Sequence, residues 1–185
     1  MPQVFGLGEV LWDVFPTGPR FGGAPANFAC SLKALAGDSQ SVGLISGVGT
    51  DVLGEQALQE LTQRGVDISC VQQCTAPTGQ VHIQLDSHGV ASYRFLENTA
   101  WDQLQWSPQL AAAAATCRAV CFGTLGQRSD SSRGVIQRLL QELPRDSLRV
   151  FDINLRPPYW SPEVVLSSLP LANVLKCNED EFPIL

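Results

Sequence analysis

The six residues Gly22-Gly23-Ala24-Pro25-Ala26-Asn27 stand directly ahead of a stretch with helical spacing. Two adjacent glycines let a backbone approach a ligand closely, and Asn27 offers both donor and acceptor to hydroxyl groups. The same residues also fit a plain tight turn closed by an Asn N-cap. Asp152, Asn154 and Arg156 end an apolar run, at what would be the C-terminal end of a parallel strand, where open α/β sheets bind ligands. Two other chemistries fail on spacing. Gly6-x-Gly8 lacks the third glycine of a dinucleotide fingerprint, and Gly47-x-Gly49 has Val52 in its place. No Walker A sequence occurs. The cysteines Cys30, Cys70, Cys74, Cys117, Cys121 and Cys177 include two Cys-x3-Cys pairs, with only His82 and His88 for company. Zinc sites favour Cys-x2-Cys, so the cysteines read as buried reduced thiols that pack as small hydrophobes.

The elements that must hold these residues alternate strand and helix. Val4–Trp12 is a β-rich apolar run, and the spacing predicts a helix over Asn27–Leu35, ended by Gly37. Ser41–Ser46 reads as a strand. Asp51–Arg64 reads as a helix capped by Thr50 or Asp51, with Leu53, Ala57, Leu58 and Leu61 as its apolar stripe and Gly65 just past its end. Gln80–Asp86 and Val90–Leu96 alternate in period two across Ser87-His88-Gly89, which predicts a β-hairpin outside the main sheet with one apolar face. Ser107-Pro108 and Ser161-Pro162 each place a capping serine before a proline at the first helical position. Arg118–Phe122, Leu148–Ile153 and Val174–Cys177 read as strands, and Ser129–Leu143 as a helix. This order calls for a mostly parallel sheet with helices on both faces.

The 185 residues carry 18 acidic and 12 basic side chains, a net charge of −6, with 44% apolar and 16% charged residues. That composition supports a packed core and excludes a disordered chain. The acidic balance and the lack of a basic run argue against nucleic acid or an anionic membrane as partner. No apolar stretch reaches transmembrane length, and the N-terminus shows no signal-peptide pattern, so the expected location is cytoplasmic.

Several segments in order carry a resemblance. Gly8-Glu9, Asp13, Gly22 to Asn27 and Val48-Gly49-Thr50-Asp51-Val52-Leu53-Gly54 are followed by Pro77-Thr78-Gly79 and Ala100-Trp101-Asp102. Phe151-Asp152-Ile153-Asn154-Leu155-Arg156-Pro157-Pro158 and Lys176-Cys177-Asn178-Glu179-Asp180-Glu181 complete the series. Together they resemble the ribokinase or PfkB family of sugar kinases, on its bacterial fructokinase branch, over essentially the whole chain. One departure is a slightly longer Leu35–Val48 connection with Ala36 where a Gly is common, in a loop that tolerates insertion.

The resemblance implies an α/β fold of three layers, α/β/α, with a small β lid over a sugar. The lid would be built from 13–20 and 80–101 inside one incomplete domain spanning 1–185. It implies transfer of the ATP γ-phosphoryl group to a sugar hydroxyl, fructose being favoured by the Ala100-Trp101-Asp102 and Asn154 to Pro158 contexts. Ribose, 2-keto-3-deoxygluconate and nucleosides are the family's alternatives. By motif position Asp13 would bind sugar hydroxyls, with Gly22, Gly23 and Asn27 beside it. Arg156 would neutralise phosphate charge in catalysis. Asn154, Asn178 and Glu181 would serve ATP, with Glu181 near Mg²⁺ through water. Two lids would pair into a homodimer. The family's catalytic aspartate belongs to a late Gly-Ala-Gly-Asp motif that these residues do not contain; Ala36-Gly37-Asp38 follows an early helix and lacks the leading Gly. A chain ending at Leu185 is therefore expected to be inactive as a kinase, and an inactive sugar-binding or interaction module is the competing reading.

Overall fold

A computed structural model describes residues 2–15, 17–85 and 91–185. A six-stranded sheet forms the centre, built from β1 (Val4–Leu7), β4 (Val42–Gly49), β5 (Val71–Cys74), β8 (Ala119–Gly123), β9 (Leu148–Asp152) and β10 (Val174–Lys176). Its order is β10-β9-β8-β1-β4-β5, and every described pairing is parallel. Side chains alternate between its faces. Phe5, Leu7, Phe122 and Phe151 pack with α3 (Pro108–Thr116) and α4 (Asp130–Glu142). Val42, Leu44 and Val48 pack with α1 (Ala24–Ala36) and α2 (Val52–Gln63) on the other face. Each such side chain, withdrawn from water, contributes about 1.5–3 kcal/mol. Burial on both faces explains why β4 is apolar or small at nearly every position. Gly6 lets α1 lie directly on β1: a Cβ there would come within 2.2 Å of the Pro25 carbonyl oxygen.

A second, four-stranded sheet has the order β3-β2-β6-β7, from β2 (Leu11–Phe15), β3 (Gly18–Gly22), β6 (Gly79–Leu85) and β7 (Ala91–Phe95). The β6–β7 hairpin lies outside the main sheet, as its period-two pattern requires. Its turn at Ser87-His88-Gly89 lies outside the described residues. Leu11, Val81 and Phe95 cluster with Trp101 and Leu125, giving this sheet its apolar face.

Three sequence expectations need correction. The Val4–Trp12 run is two strands, not one. The chain leaves the main sheet at Gly8 (φ +140°), and Leu11 begins the second sheet. Helix α1 starts at Ala24, three residues before the expected Asn27, because a proline in the first helical turn forfeits no hydrogen bond. Asn27 is therefore inside the helix and is not its cap. Strand β5 was not anticipated: Val-Gln-Gln-Cys is short and partly polar, and it pairs with β4 alone at the sheet's edge. The cap expectations hold for Ser107 and Ser161, each accepting an amide three residues on; Ser129, expected inside its helix, caps it in the same way, and Asp51 rather than Thr50 caps α2.

Candidate active site

Strand order reverses at β1, which has β4 on one side and β8 on the other. The loops leaving the C-terminal ends of β1 and β8 must diverge there, opening a crevice. The Gly8-Glu9-Val10 crossover, the Gly123-Thr124-Leu125 segment and the Asp152-Ile153-Asn154 segment all meet at this point. Asp13, Gly23, Asn27, Asn154 and Arg156 line one cavity of about 560 Å³. The roof is the apolar face of the second sheet. Register explains it: Asp13 pairs with Val81, and Val81 pairs with Phe95, so these side chains stand in one row across three strands.

The two glycines have separate jobs. A Cβ on Gly22 would lie 2.8 Å from Asp13 Oδ2, so Gly22 leaves room for that carboxylate. Gly23 takes φ +106°, and a Cβ there would lie 2.6 Å from the Glu9 carbonyl oxygen. Gly23 thus lets α1 begin against the crossover loop. Asn27 follows in the second turn with its side chain exposed, its own amide donating to the Gly23 carbonyl at 2.8 Å. Burial pushes the Asp13 carboxyl above its ordinary range, and the Arg156 guanidinium opposes that rise. Asn154 holds φ +42°, a left-handed conformation that Asn tolerates better than most residues. Arg156 is exposed, and its Nη1 donates to the Leu155 carbonyl at 3.0 Å.

Asn178 and Glu181 do not line this cavity. They form a reciprocal turn: Asn178 Oδ1 accepts from the Glu181 amide at 2.8 Å, and Glu181 Oε2 accepts from the Asn178 amide at 2.9 Å. Glu181 Oε1 accepts from the Leu155 amide at 2.8 Å, which ties this turn to the segment carrying Asn154 and Arg156. Each carboxylate oxygen keeps a further lone pair, so Glu181 can accept from metal-bound water, as Mg²⁺ sites commonly require. Among the described residues no group of three or more His, Cys, Asp or Glu could hold a metal directly. The cysteines carry no disulfide, and burial pushes the Cys117 and Cys121 thiols up to about 11.

Sequence reasoning gave two features no separate role. Glu9 is 3% exposed and stands on the boundary of the cavity, and burial pushes its carboxyl up to about 7. An acid inside the otherwise apolar Val4–Trp12 run was the available signal, because a buried charge needs a partner. The second feature is the anchor beneath the second sheet. Arg128 makes two bonds to Asp102, at 2.8 and 2.6 Å, donates to the Leu96 carbonyl and stacks 4.0 Å from the Trp101 ring. Asp102 also closes a capping box with Thr99. Nothing in the spacing linked Arg128 to the Ala100-Trp101-Asp102 motif.

Comparison with known proteins adds the following. The model of the pfkB family carbohydrate kinases matches residues 8–185. A fructokinase of Klebsiella pneumoniae is 30% identical over 196 residues, covering 99% of this chain and 62% of the relative. A sugar kinase of Pyrococcus horikoshii is 29% identical over 167 residues, covering 86% of this chain and 53% of the relative. The crystal structure of that archaeal kinase in complex with ATP superposes with a TM-score of 0.86 at 26% identity, over 98% of this chain and 65% of its own. Fructokinase from Xylella fastidiosa with bound ATP gives 0.84 at 22% identity over 100% of this chain and 61% of its own, a likeness of fold. The chain thus spans between half and two-thirds of the length of these relatives. Among the described residues no helix is long and apolar enough to cross a membrane.

Proposed function

The chain belongs to the pfkB family of carbohydrate kinases, and from that premise we propose that it supplies the sugar-binding half of an ATP-dependent sugar kinase acting on fructose. The observation that carries this reading is the convergence of Asp13, Asn27, Asn154 and Arg156 on one cavity roofed by the second sheet. Asp13 accepts from two adjacent sugar hydroxyls, and the Asn27 amide donates to one and accepts from another. Val81, Phe95 and Leu11 present apolar surface to the sugar's C–H face, and the sheet acts as a lid over it. Excluding water there protects ATP from hydrolysis and strengthens every polar contact inside.

Arg156 stands at the open side of the cavity, exposed and without a carboxylate partner among the described ion pairs. It is placed to meet the charge of the transferred phosphoryl group. Asn154 and the Asn178–Glu181 turn sit beside it, and Glu181 would hold Mg²⁺ through water. Mg²⁺, when bound, supplies neutralisation of the ATP phosphate charge. The base that takes the hydroxyl proton belongs, in this family, to a motif outside these 185 residues.

Calorimetry with fructose, ribose and 2-keto-3-deoxygluconate tests the substrate. Fructose is expected to bind most tightly, and a preference for either competitor reassigns it. Coupled ADP release is the second test, run on the 185-residue chain and on the product of the whole open reading frame. Turnover is expected only from a product that carries Gly-Ala-Gly-Asp. Fructose binding with no turnover from either one favours the inactive sugar-binding module.

A further inference from the structure

Helix α1 has no side-chain cap. Its N-cap position is Gly23, which has no side chain to offer, and Pro25 fills its second position. Its first turn holds no acidic residue. Helix N-termini leave several amides unpaired, and the amide of Ala24 is one of them. That amide donates to Glu9 Oε1 at 3.2 Å, across fifteen residues of chain. Glu9 is the acid of the crossover between the two sheets, one residue past Gly8 and two before Leu11. A single carboxyl therefore joins three pieces: the exit of β1, the entry to the strand bearing Asp13, and the start of the helix bearing Asn27.

We propose that Glu9 is a positioning residue for the sugar site, a cap supplied from outside helix α1 that holds Asn27 in register with Asp13. This rests on the sugar-kinase reading and adds to it a residue that acts through the placement of Asn27 and Asp13. The geometry also says in which form Glu9 works. Its Oε2 is buried and has no hydrogen-bond partner among the described residues. Gly126 packs against that side: a Cβ there would lie 3.4 Å from Oε2 and 2.8 Å from the Gly8 Cα. Oε2 receives no hydrogen bond among the described residues, and an unpaired buried O–H costs far less than an unpaired buried carboxylate. The neutral acid still accepts from Ala24 through its carbonyl oxygen.

The surroundings act in both directions. Asp152 at the end of β9 and Asp13 on β2 disfavour a further negative charge; Arg156 after β9 and Lys176 on β10 favour it, and the Cys121 thiol on β8 faces the same space uncharged. Lys176 is already bonded to both oxygens of Asp152. The first turn of α1 contributes its amides and no charged side chain. Desolvation outweighs the pull of the Glu9 and Ala24 amides and of Arg156, and the carboxyl is held up to about 7. Ionisation near neutral pH would put an anion where one carboxylate oxygen has no hydrogen-bond partner among the described residues, and the α1 terminus would shift to accommodate it.

The test follows the Ala24 and Asn27 amide resonances of the 185-residue chain by NMR against pH, together with fructose affinity. In the wild type both amides are expected to titrate with one midpoint near 7, and fructose affinity to fall about tenfold through it, the size of one lost positioning hydrogen bond. Glu9→Gln keeps the carbonyl acceptor and cannot ionise. It should abolish the titration and hold the affinity at the low-pH value across the range. Glu9→Ala should weaken fructose at every pH and move both resonances. Amides that titrate identically in wild type and Glu9→Gln overturn the proposal. So does an Ala variant with unchanged fructose affinity. Should the wild type bind no fructose at any pH, the sugar reading fails, and the Ala24 titration alone still decides whether Glu9 caps the helix. If the Ala variant does not fold, the comparison of wild type with Glu9→Gln carries the decision.

Discussion

Two buried carboxylates in this molecule have opposite surroundings. Asp102 is 5% exposed and Glu9 is 3% exposed. Asp102 is met on both oxygens by Arg128 and receives the amide and hydroxyl of Thr99 as well. Glu9 receives the Ala24 amide on one oxygen, and its other oxygen is bare. Asp102 lies under the second sheet, where its job is to fasten the Leu96 exit and Trp101 to the start of α4. Glu9 lies where the two sheets part, at the edge of the cavity lined by Asp13 and Asn27. Asp102, met on both oxygens, is held rigidly, although Arg128 Nη1 has no hydrogen-bond partner among the described residues; Glu9, met on one oxygen, is tuned by protons. The first is built to anchor the roof of the site, the second to align its floor.

The comparison breaks most easily at Arg128. Arg128→Met keeps much of the stem packing on Trp101 and removes the partner of Asp102. A buried charge stripped of its partner typically costs about 3–5 kcal/mol. Urea unfolding should show a loss in that range with an unchanged m-value. A loss below about 1 kcal/mol would mean that Asp102 is served well enough by Thr99, and the anchor would not depend on the ion pair.

Glu9 supplies the next largest effect, and its sign is the reverse of the usual acid behaviour. The folded chain keeps a proton on Glu9 that the unfolded chain releases, because burial raises this carboxyl from 4.5 to about 7. The native state binds more protons in that window, so stability is greatest at and below the lower value, falls as pH rises, and levels off above the upper one. About two and a half pH units correspond to about 3 kcal/mol. The difference in unfolding free energy between wild type and Glu9→Gln isolates this effect. A flat difference from acid to neutral pH would place Glu9 in the same class as Asp102.

How much of this was visible in the residues differs between the two regions. Parallel strands buried on both faces announce themselves as apolar runs, and the Ser-Pro caps mark helix starts with a local mechanism, so the main sheet and most helices were readable. Asn27 stood out because it follows two glycines ahead of a helix, and Asn154 and Arg156 because they end an apolar run; Asp13 stood out only through the resemblance of its motif. Strand β5 escaped because Val-Gln-Gln-Cys has neither period nor apolarity enough. The end of β1 escaped because only Gly8 and Glu9 interrupt the apolar run at the point where it changes sheets. Arg128 and Asp102 are 26 residues apart and Glu9 and Ala24 are 15 apart. Such pairs are made by tertiary packing, and spacing along a chain does not encode them.

Asp13 lets the two regions be compared through ligand binding. It stands on the roof side of the cavity, while Asn27 stands on the floor side. Asp13→Ala removes a carboxylate bonded to hydroxyls and should weaken fructose about ten- to a hundredfold, or about 1.5–3 kcal/mol. Calorimetry should also show the loss shrinking if Asp13 is only partly ionised at the pH used, since burial raises its carboxyl. Unchanged affinity would remove the roof from the binding site altogether.

Asp51 gives the smallest effect and the sharpest contrast with Glu9. It too accepts an amide of a helix start, here the third one, Gly54 of α2, at 2.8 Å. It differs in having its remaining capacity filled: Thr78 donates its hydroxyl to Oδ1 at 2.6 Å and its amide to Oδ2 at 2.8 Å. Burial alone would raise this carboxyl, but the Thr78 and Gly54 donors outweigh it and hold the carboxyl below its ordinary range. The sign therefore inverts. Asp51 contributes stability above its unfolded pKa, and that contribution is lost as pH falls through the folded value. Asp51→Ala should cost about 1 kcal/mol near neutral pH, the usual value of a helix cap, because α2 also keeps its apolar stripe of Ala57 and Leu61. In acid the cost should shrink, whereas the advantage of wild type over Glu9→Gln should grow. Parallel pH profiles for the two variants would show that the orphaned oxygen of Glu9 has no electrostatic consequence, and that both carboxylates serve simply as caps.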